Sequence, residues 1–212
     1  MANSADEVPA LDRYRRNAER LGARFLGLSS EYVLRSVATF IPTEPAHILD
    51  VGAGSGRDAL WFARHGHNVT AVEPVEEMSD QAEGLPGSEK VEWISDHLPL
   101  LEHLKDRAGR YDFCLLSGVW HHVPDVHRST ALSTLVKLLG SGGYLAMSLR
   151  LGSDTDGKTN FDIDIEDTIA LAERVGLLLR HRARTQSNQP ANIAAGVEWE
   201  WLVFEKRAGN AT

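Results

Sequence analysis

The spacing of apolar residues changes character along the chain. From Leu11 the positions Leu11, Tyr14, Ala18, Leu21 and Phe25 step by three and four, which predicts an amphipathic helix with an arginine-rich outer face. Residues 1 to about 9 lack that step and are expected to fray. A second helix is predicted with Ser29 or Ser30 as N-cap, ending before Pro42, with Val33, Leu34, Val37 and Ile41 turned inward. Beyond Ala46 short apolar runs alternate with helical stretches. Strands are predicted at 46–51, 68–73, 91–95, 111–117, 143–149, 177–183 and 197–205. Helices are predicted at 56–65, 75–83, 99–107, 126–139 and 164–175, several closed by a glycine such as Gly66, Gly140 or Gly176. Such alternation predicts an α/β fold with a doubly wound, mostly parallel sheet. No helical period runs between Arg184 and Val197, so the last two strands read as an antiparallel hairpin with a long loop.

Composition narrows the class. A chain of 212 residues, 42% hydrophobic and 25% charged, suits one domain, residues 1–212, with a sizeable core. A net charge of −8 makes nucleic acid an unlikely partner, because phosphate binding needs concentrated positive charge. The cluster Arg180-His181-Arg182-Ala183-Arg184 runs the other way. It reads as a solvated strand end in local charge balance before it reads as a nucleic-acid patch. The single cysteine, Cys114, lies in an apolar strand and allows no intramolecular disulfide. No leader opens the chain and no apolar run approaches membrane-spanning length, so the expectation is a cytoplasmic protein without a membrane partner, monomeric or homodimeric.

One segment carries the chemistry. The apolar run His47-Ile48-Leu49 ends in Asp50, glycines follow at positions 52, 54 and 56, and a helical pattern begins at once. A buried strand thus delivers the chain into a turn of bare backbone, where a ligand can lie against the main chain and a helix N-terminus. The next apolar run ends in Glu73, placed to bind two adjacent ribose hydroxyls, and these features describe a nucleoside site at the carboxyl edge of a parallel sheet. The dinucleotide pattern G-x-G-x-x-G would need glycine where Arg57 stands. Asp50 would oppose a pyrophosphate but suits a cationic ligand.

The pattern Asp50-Val51-Gly52-Ala53-Gly54-Ser55-Gly56 resembles the nucleotide-binding motif of class I S-adenosylmethionine-dependent methyltransferases, and the likeness in order and spacing extends from Ala46 to Lys206. The resemblance implies seven strands with the last inserted antiparallel, a Rossmann-like core over 46–206, and a helical N-terminal lid over 1–42. Its cofactor, S-adenosyl-L-methionine, carries a sulfonium and an ammonium group and no phosphate. By resemblance Asp50, Gly52, Ala53, Gly54 and Gly56 bind the amino-acid end of the cofactor, and Glu73 with Pro74 the ribose. Asp96, ending the third strand, would accept the adenine amino group beside His97, with a helix N-cap before Pro99 as the alternative role. Ser117 closes the fourth strand on the same edge.

The segment Tyr111–Asp125 matches the family's fourth strand and the turn that positions methyl acceptors. It has no Asn-Pro-Pro-Tyr-like motif, no Pro-Cys pair and no acidic magnesium cluster, so the sequence looks most like small-molecule methyltransferases, near the tellurite-resistance and quinone- or natural-product-modifying enzymes. His121 and His122 are the candidate bases for an acceptor proton, with a backbone-bonded imidazole in the turn as the alternative. Adjacent histidines diverge and no further ligands cluster with them, so no metal is expected. Tyr14 on the lid, Trp120 and Arg150 are candidate acceptor contacts. Trp199 and Trp201 share a strand face, as core or as a pocket wall. The expected activity is methyl transfer to an oxygen or nitrogen of a small-molecule acceptor. Transfer to a protein or RNA group, or a binding module without turnover, are the alternatives.

Overall fold

Helices α1 (Val8–Arg16), α2 (Ala18–Leu26) and α3 (Ser30–Leu34) precede an alternating core in the computed structural model, which describes residues 8–152, 160–187 and 189–208. The core strands are β1 (His47–Val51), β2 (Asn68–Val72), β3 (Val91–Ile94), β4 (Tyr111–Ser117), β5 (Leu139–Leu151), β6 (Leu177–Gln186) and β7 (Glu198–Lys206). Between them lie α4 (Arg57–Arg64), α5 (Glu76–Ser79), α6 (Asp125–Leu138), α7 (Ile165–Arg174) and α8 (Pro190–Ala194). The sheet order is β3-β2-β1-β4-β5-β7-β6, parallel from β3 to β5, with β7 antiparallel to both of its neighbours. The fold class is the one expected. Strand order reverses between β1 and β4, and a reversal of this kind opens a crevice at the carboxyl ends of the strands.

Alternation along each strand supplies both faces of the sheet with core residues. Ile48, Phe113, Leu115 and Val203 pack with Leu34 of α3 and Phe62 of α4. Leu49, Leu116, Met147 and Phe204 pack on the opposite face with Leu135 of α6 and Ala172 of α7. At the sheet edge the basic cluster of β6 is balanced by β7 and α7. Arg180 pairs with Glu205 at 2.6 Å, Arg184 with Glu200 at 2.8 Å, and Arg182 with Glu166 at 2.7 Å and with Glu200.

Several predicted elements differ, each for a local reason. The helix expected from Leu11 to Phe25 breaks at Asn17, whose Nδ2 donates to the carbonyl of Arg13 at 2.9 Å and so competes with the helical backbone. Ser29 is the N-cap, its Oγ accepting from the Tyr32 amide at 3.2 Å, but α3 ends at Leu34 and a 3₁₀ turn at Ala38–Phe40 follows. The helix expected at 75–83 is α5 plus a 3₁₀ turn, Asp80–Ala82.

No helix forms over 99–107. Leu101 adopts a left-handed φ of 48°, leaving only a 3₁₀ turn at Glu102–Leu104, although Leu98, Leu101 and Leu104 are buried in the core. Gly66 and Gly176 follow their helices with φ of 91° and 96°. Gly140 instead lies inside β5, which starts at Leu139 and shifts register against β4 between Tyr111 and Phe113. The connection from β6 to β7 holds the five-residue α8, too short to leave a period in the sequence. Of the stretch expected to fray, residues 1–7 lie outside the described residues.

Candidate functional site

A cleft of about 790 Å³ follows the carboxyl ends of β1, β2 and β4 and extends to the walls formed by α1, α2 and the β6–β7 connection. Its chemistry divides into two ends.

At the glycine end, Asp50 lies on the floor and is buried. Burial, reinforced by the nearby Asp58, holds its carboxyl well above the usual carboxylate range, and Arg57 opposes that shift. Arg57 Nε donates to Asp58 Oδ1 at 2.8 Å, and its Nη2 reaches Ser117 Oγ at 3.1 Å. The sequence offered Arg57 only as the residue that breaks the dinucleotide pattern. The structure makes it the cation that ties β4 to the start of α4.

The loop itself is held by its own hydrogen bonds. The amides of Gly52 and Ala53 donate to Val72 O at 2.8 and 3.0 Å, that of Gly54 to Glu73 Oε2 at 2.8 Å, and that of Gly56 to Ala53 O at 3.0 Å. These four amides are not offered to a phosphate, and the acids around them favour a cation. Gly52, with φ of 68°, admits the Val119 side chain, whose Cγ2 would stand 2.5 Å from any added Cβ. Gly54 presents bare backbone to the cleft, with Met78 Cε the nearest atom at 3.6 Å from a built Cβ. Gly56, expected at the cofactor, does not line the cleft. It is buried at the entry to α4, where a Cβ would meet Trp93 at 3.0 Å and Ala82 at 3.1 Å.

Glu73 stands where β2 ends, accepting from the amides of Gly54 at 2.8 Å and Val75 at 3.0 Å. Burial raises its carboxyl to about 7, against the lowering effect of those two amides. Ala53, Pro74 and His97 line the same stretch. Asp96 lines it too, and also caps the turn that follows: Oδ1 accepts from the His97 amide and Oδ2 from the His103 amide, both at 2.7 Å.

The far end is built from α1 and from the turn after β4. Tyr14 Oη lies 3.0 Å from His122 Nε2, with the rings edge to face at 5.5 Å, so α1 is joined to that turn. Burial raises the Tyr14 phenol above its usual 10. His121 is buried beside it. Burial first, then the charges of His122, Arg150 and Arg13, hold its imidazole well below 6.5. Arg150 lines this end, its Nη1 donating to Gly152 O at 3.3 Å.

Trp120 is not an acceptor wall. It is 0% exposed, absent from the cleft, and its Nε1 donates to Thr168 Oγ1 at 3.4 Å inside the core. The wall is Trp199, Trp201 lines the cleft as well while packing in the core, and His121 stands 6.1 Å from the Trp199 ring. An apolar residue next to a histidine pair looks the same in sequence whichever face it takes, whereas the alternation of Trp199 and Trp201 was visible.

Arg24 was hidden in the outer face assigned to the first helix. It lines the cleft and donates to Gln189 Oε1, joining α2 to the residue before α8. Asn160 and Asn192 also reach the cleft without a sequence signal. Cys114 is buried in β4 with its thiol pushed up by burial, away from the cleft. Among the described residues no cluster of three or more His, Cys, Asp or Glu side chains could hold a metal, and no helix is long and apolar enough to cross a membrane.

Comparison with known proteins bears on this geometry. A family model described as a methyltransferase domain matches residues 14–209. The ubiquinone biosynthesis O-methyltransferase of Coxiella burnetii is 30% identical over 115 residues, which are 54% of this chain and 48% of that protein, so the chain matches about half the length of that relative. Among solved structures, a TehB-like SAM-dependent methyltransferase from Corynebacterium glutamicum superposes with a TM-score of 0.65 at 22% identity, covering 94% of this chain and 99% of that one. The 1,6-didemethyltoxoflavin-N1-methyltransferase of Burkholderia thailandensis, solved with 1,6-didemethyltoxoflavin and S-adenosylhomocysteine, gives a TM-score of 0.68 at 22% identity over 98% of this chain and 92% of that one.

Proposed function

The chain belongs to the methyltransferase family, and from that premise we propose that it binds S-adenosyl-L-methionine and transfers its methyl group to an oxygen or nitrogen of a small-molecule acceptor. The observation that carries this reading is one continuous cleft whose glycine end offers carboxylates and no free phosphate cradle, and whose other end is closed by Tyr14, His121, His122 and Trp199. The bound cofactor supplies an electrophilic methyl carbon on a sulfonium. Asp50 and Glu73 favour its cationic groups and ribose hydroxyls, Gly54 permits close approach, and Asp96 takes the adenine amino group with the lone pairs its own turn leaves over.

At the acceptor end the residues position and deprotonate. Transfer would be an in-line displacement, so the main task of these residues would be to hold the acceptor nucleophile in line with the methyl group. When bound, the cofactor would supply the methyl group that replaces the acceptor's proton, and one of the two histidines would take that proton. His121 stays neutral near pH 7 and so remains able to accept it. His122, oriented by the Tyr14 hydroxyl, is the other candidate. Trp199 gives a flat acceptor a face to stack on.

The test is production of S-adenosylhomocysteine from S-adenosyl-L-methionine with a deproteinised metabolite extract as acceptor source. Turnover is expected with the wild type, and a drop of about a hundredfold or more in one of His121→Ala and His122→Ala if that histidine is the base. No product from any extract at saturating cofactor would reject the activity. Near-wild-type turnover in both variants would reject the base.

A further inference from the structure

Charge is distributed unevenly along the cleft. The acids Asp50, Glu73 and Asp96 stand at the ends of β1, β2 and β3, with Asp58 in the first turn of α4. Arginines dominate the other end. Arg13 from α1, Arg24 from α2 and Arg150 from β5 all line the cleft and act electrostatically on the Tyr14 phenol, as does Glu73 from the acidic end, so the three arginines gather around Tyr14.

Arg24 is the informative member. Its hydrogen-bond partner is the side-chain amide oxygen of Gln189, and among the described residues no carboxylate pairs with it. A half-buried guanidinium aimed into a cleft and bonded to a neutral amide has donors in surplus. A carboxylate or phosphate would take two parallel N–H···O bonds from it and add the attraction of opposite charges, which the single bond to a neutral amide lacks. Gln189 belongs to the β6–β7 connection, on the far side of β4 from the three strand-end acids, while α2 itself packs on α5 and its Gly22 carbonyl accepts from Ser55 Oγ of the glycine loop, so Arg24 stands between the two ends of the cleft.

We propose that the methyl acceptor is an anion, and that Arg24 grips its carboxylate or phosphate oxygens at the mouth between α2 and α8, taking the bond now made to Gln189. The proposal rests on reading the cleft as a methyltransferase site. It makes Arg24 a specificity-determining contact: a neutral analogue of the acceptor would leave the guanidinium on its amide and gain nothing from it.

The experiment divides a deproteinised metabolite extract on an anion-exchange resin and assays each fraction for S-adenosylhomocysteine formation. Turnover is expected in the retained, anionic fraction. Phosphatase treatment of that fraction then separates the sources: activity that survives identifies a carboxylate, activity that is lost a phosphate. Arg24→Gln should raise KM for the retained acceptor by about ten- to a hundredfold with little change in kcat, and Arg24→Lys should restore part of it. Turnover confined to the flow-through overturns the proposal and leaves the methyltransferase reading intact. Absence of turnover in both fractions rejects the two together. A second arm measures Arg24→Gln binding to S-adenosylhomocysteine and to 5′-methylthioadenosine, which lacks the amino-acid carboxylate. Unchanged affinity for both is expected. A loss for the first alone would assign Arg24 to the cofactor's carboxylate and overturn the proposal.

Discussion

Glu73 concentrates the pH behaviour expected at the cofactor end. Its carboxyl sits at about 7 because burial outweighs two amide hydrogen bonds, so near neutrality it is only partly ionised. Ribose hydroxyls donate hydrogen bonds, and the ionised form accepts them best. Binding should therefore release a proton below pH 7, and affinity should rise with pH until the carboxyl is ionised in the free protein. Between pH 6 and pH 8 we expect about a tenfold gain in affinity for S-adenosylhomocysteine, measured by calorimetry in two buffers of different ionisation enthalpy. Glu73→Gln should bind about ten- to a hundredfold more weakly and lose the slope, whereas an unchanged slope would move the titration to Asp50. His121 is shifted the opposite way, its pKa moving down instead of up. Its folded imidazole is held below 6.5, so the unfolded chain protonates first, and the protein should lose stability as pH falls below about 6.5. His121→Gln should flatten that loss in denaturant titrations at pH 5 and pH 7.

The turn after β3 shows what one residue does for an element. The sequence predicts a helix over 99–107; Leu98, Leu101 and Leu104 are buried there without one. The structure meets the same burial with a left-handed Leu101 and a short turn closed onto the Asp96 carboxylate. The backbone path depended on which amides Asp96 captures, and that is a contact, not a period. Asp96→Ala should lower stability by about 1 kcal/mol, or about 2–4 °C in melting temperature, through the lost cap. A parallel loss of cofactor affinity would support the adenine contact, and full affinity in a protein that melts lower would leave Asp96 as a cap only. The N-terminal helices are legible to the same degree: their apolar stripe predicted a helix and a contact for Tyr14, but the break at Asn17 turns on one local side-chain bond to Arg13 and the bond to His122 joins residues 108 apart in sequence. Tyr14→Phe removes a bond of about 0.5–1.5 kcal/mol. Amide exchange in α1 should quicken severalfold while exchange in β1 and β4 stays unchanged, and equal protection in α1 would show that packing against α5, not the hydroxyl, holds the lid.

Over the whole molecule, the sheet order turns a one-dimensional pattern into a site. Asp50, Glu73 and Asp96 end three successive sequence strands, and the order β3-β2-β1 lines those ends up on one edge, with the reversal at β4 opening the cleft beside them. That much could be read in the chain, because each acid closes an apolar run and parallel strands present the same end. Trp199 was legible only as core or pocket wall, because a β7 threaded backwards between β5 and β6 decides which. Arg24 and Gln189 were not legible, because they reach the cleft from the outer face of α2 and from the β6–β7 connection. A ligand that spans the edge therefore bridges elements distant in sequence and should stabilise them as one unit. At a concentration a hundred times its dissociation constant, a ligand bound only by the folded state adds about 2.7 kcal/mol. For a chain of this size that amounts to about 5–10 °C in melting temperature. S-adenosylhomocysteine should produce this shift and NAD none, since the loop amides that a pyrophosphate would need already donate to Val72, Glu73 and Ala53. A comparable shift with NAD would mean that the loop reopens for a phosphate, and the assignment of its ligand would fall with that result.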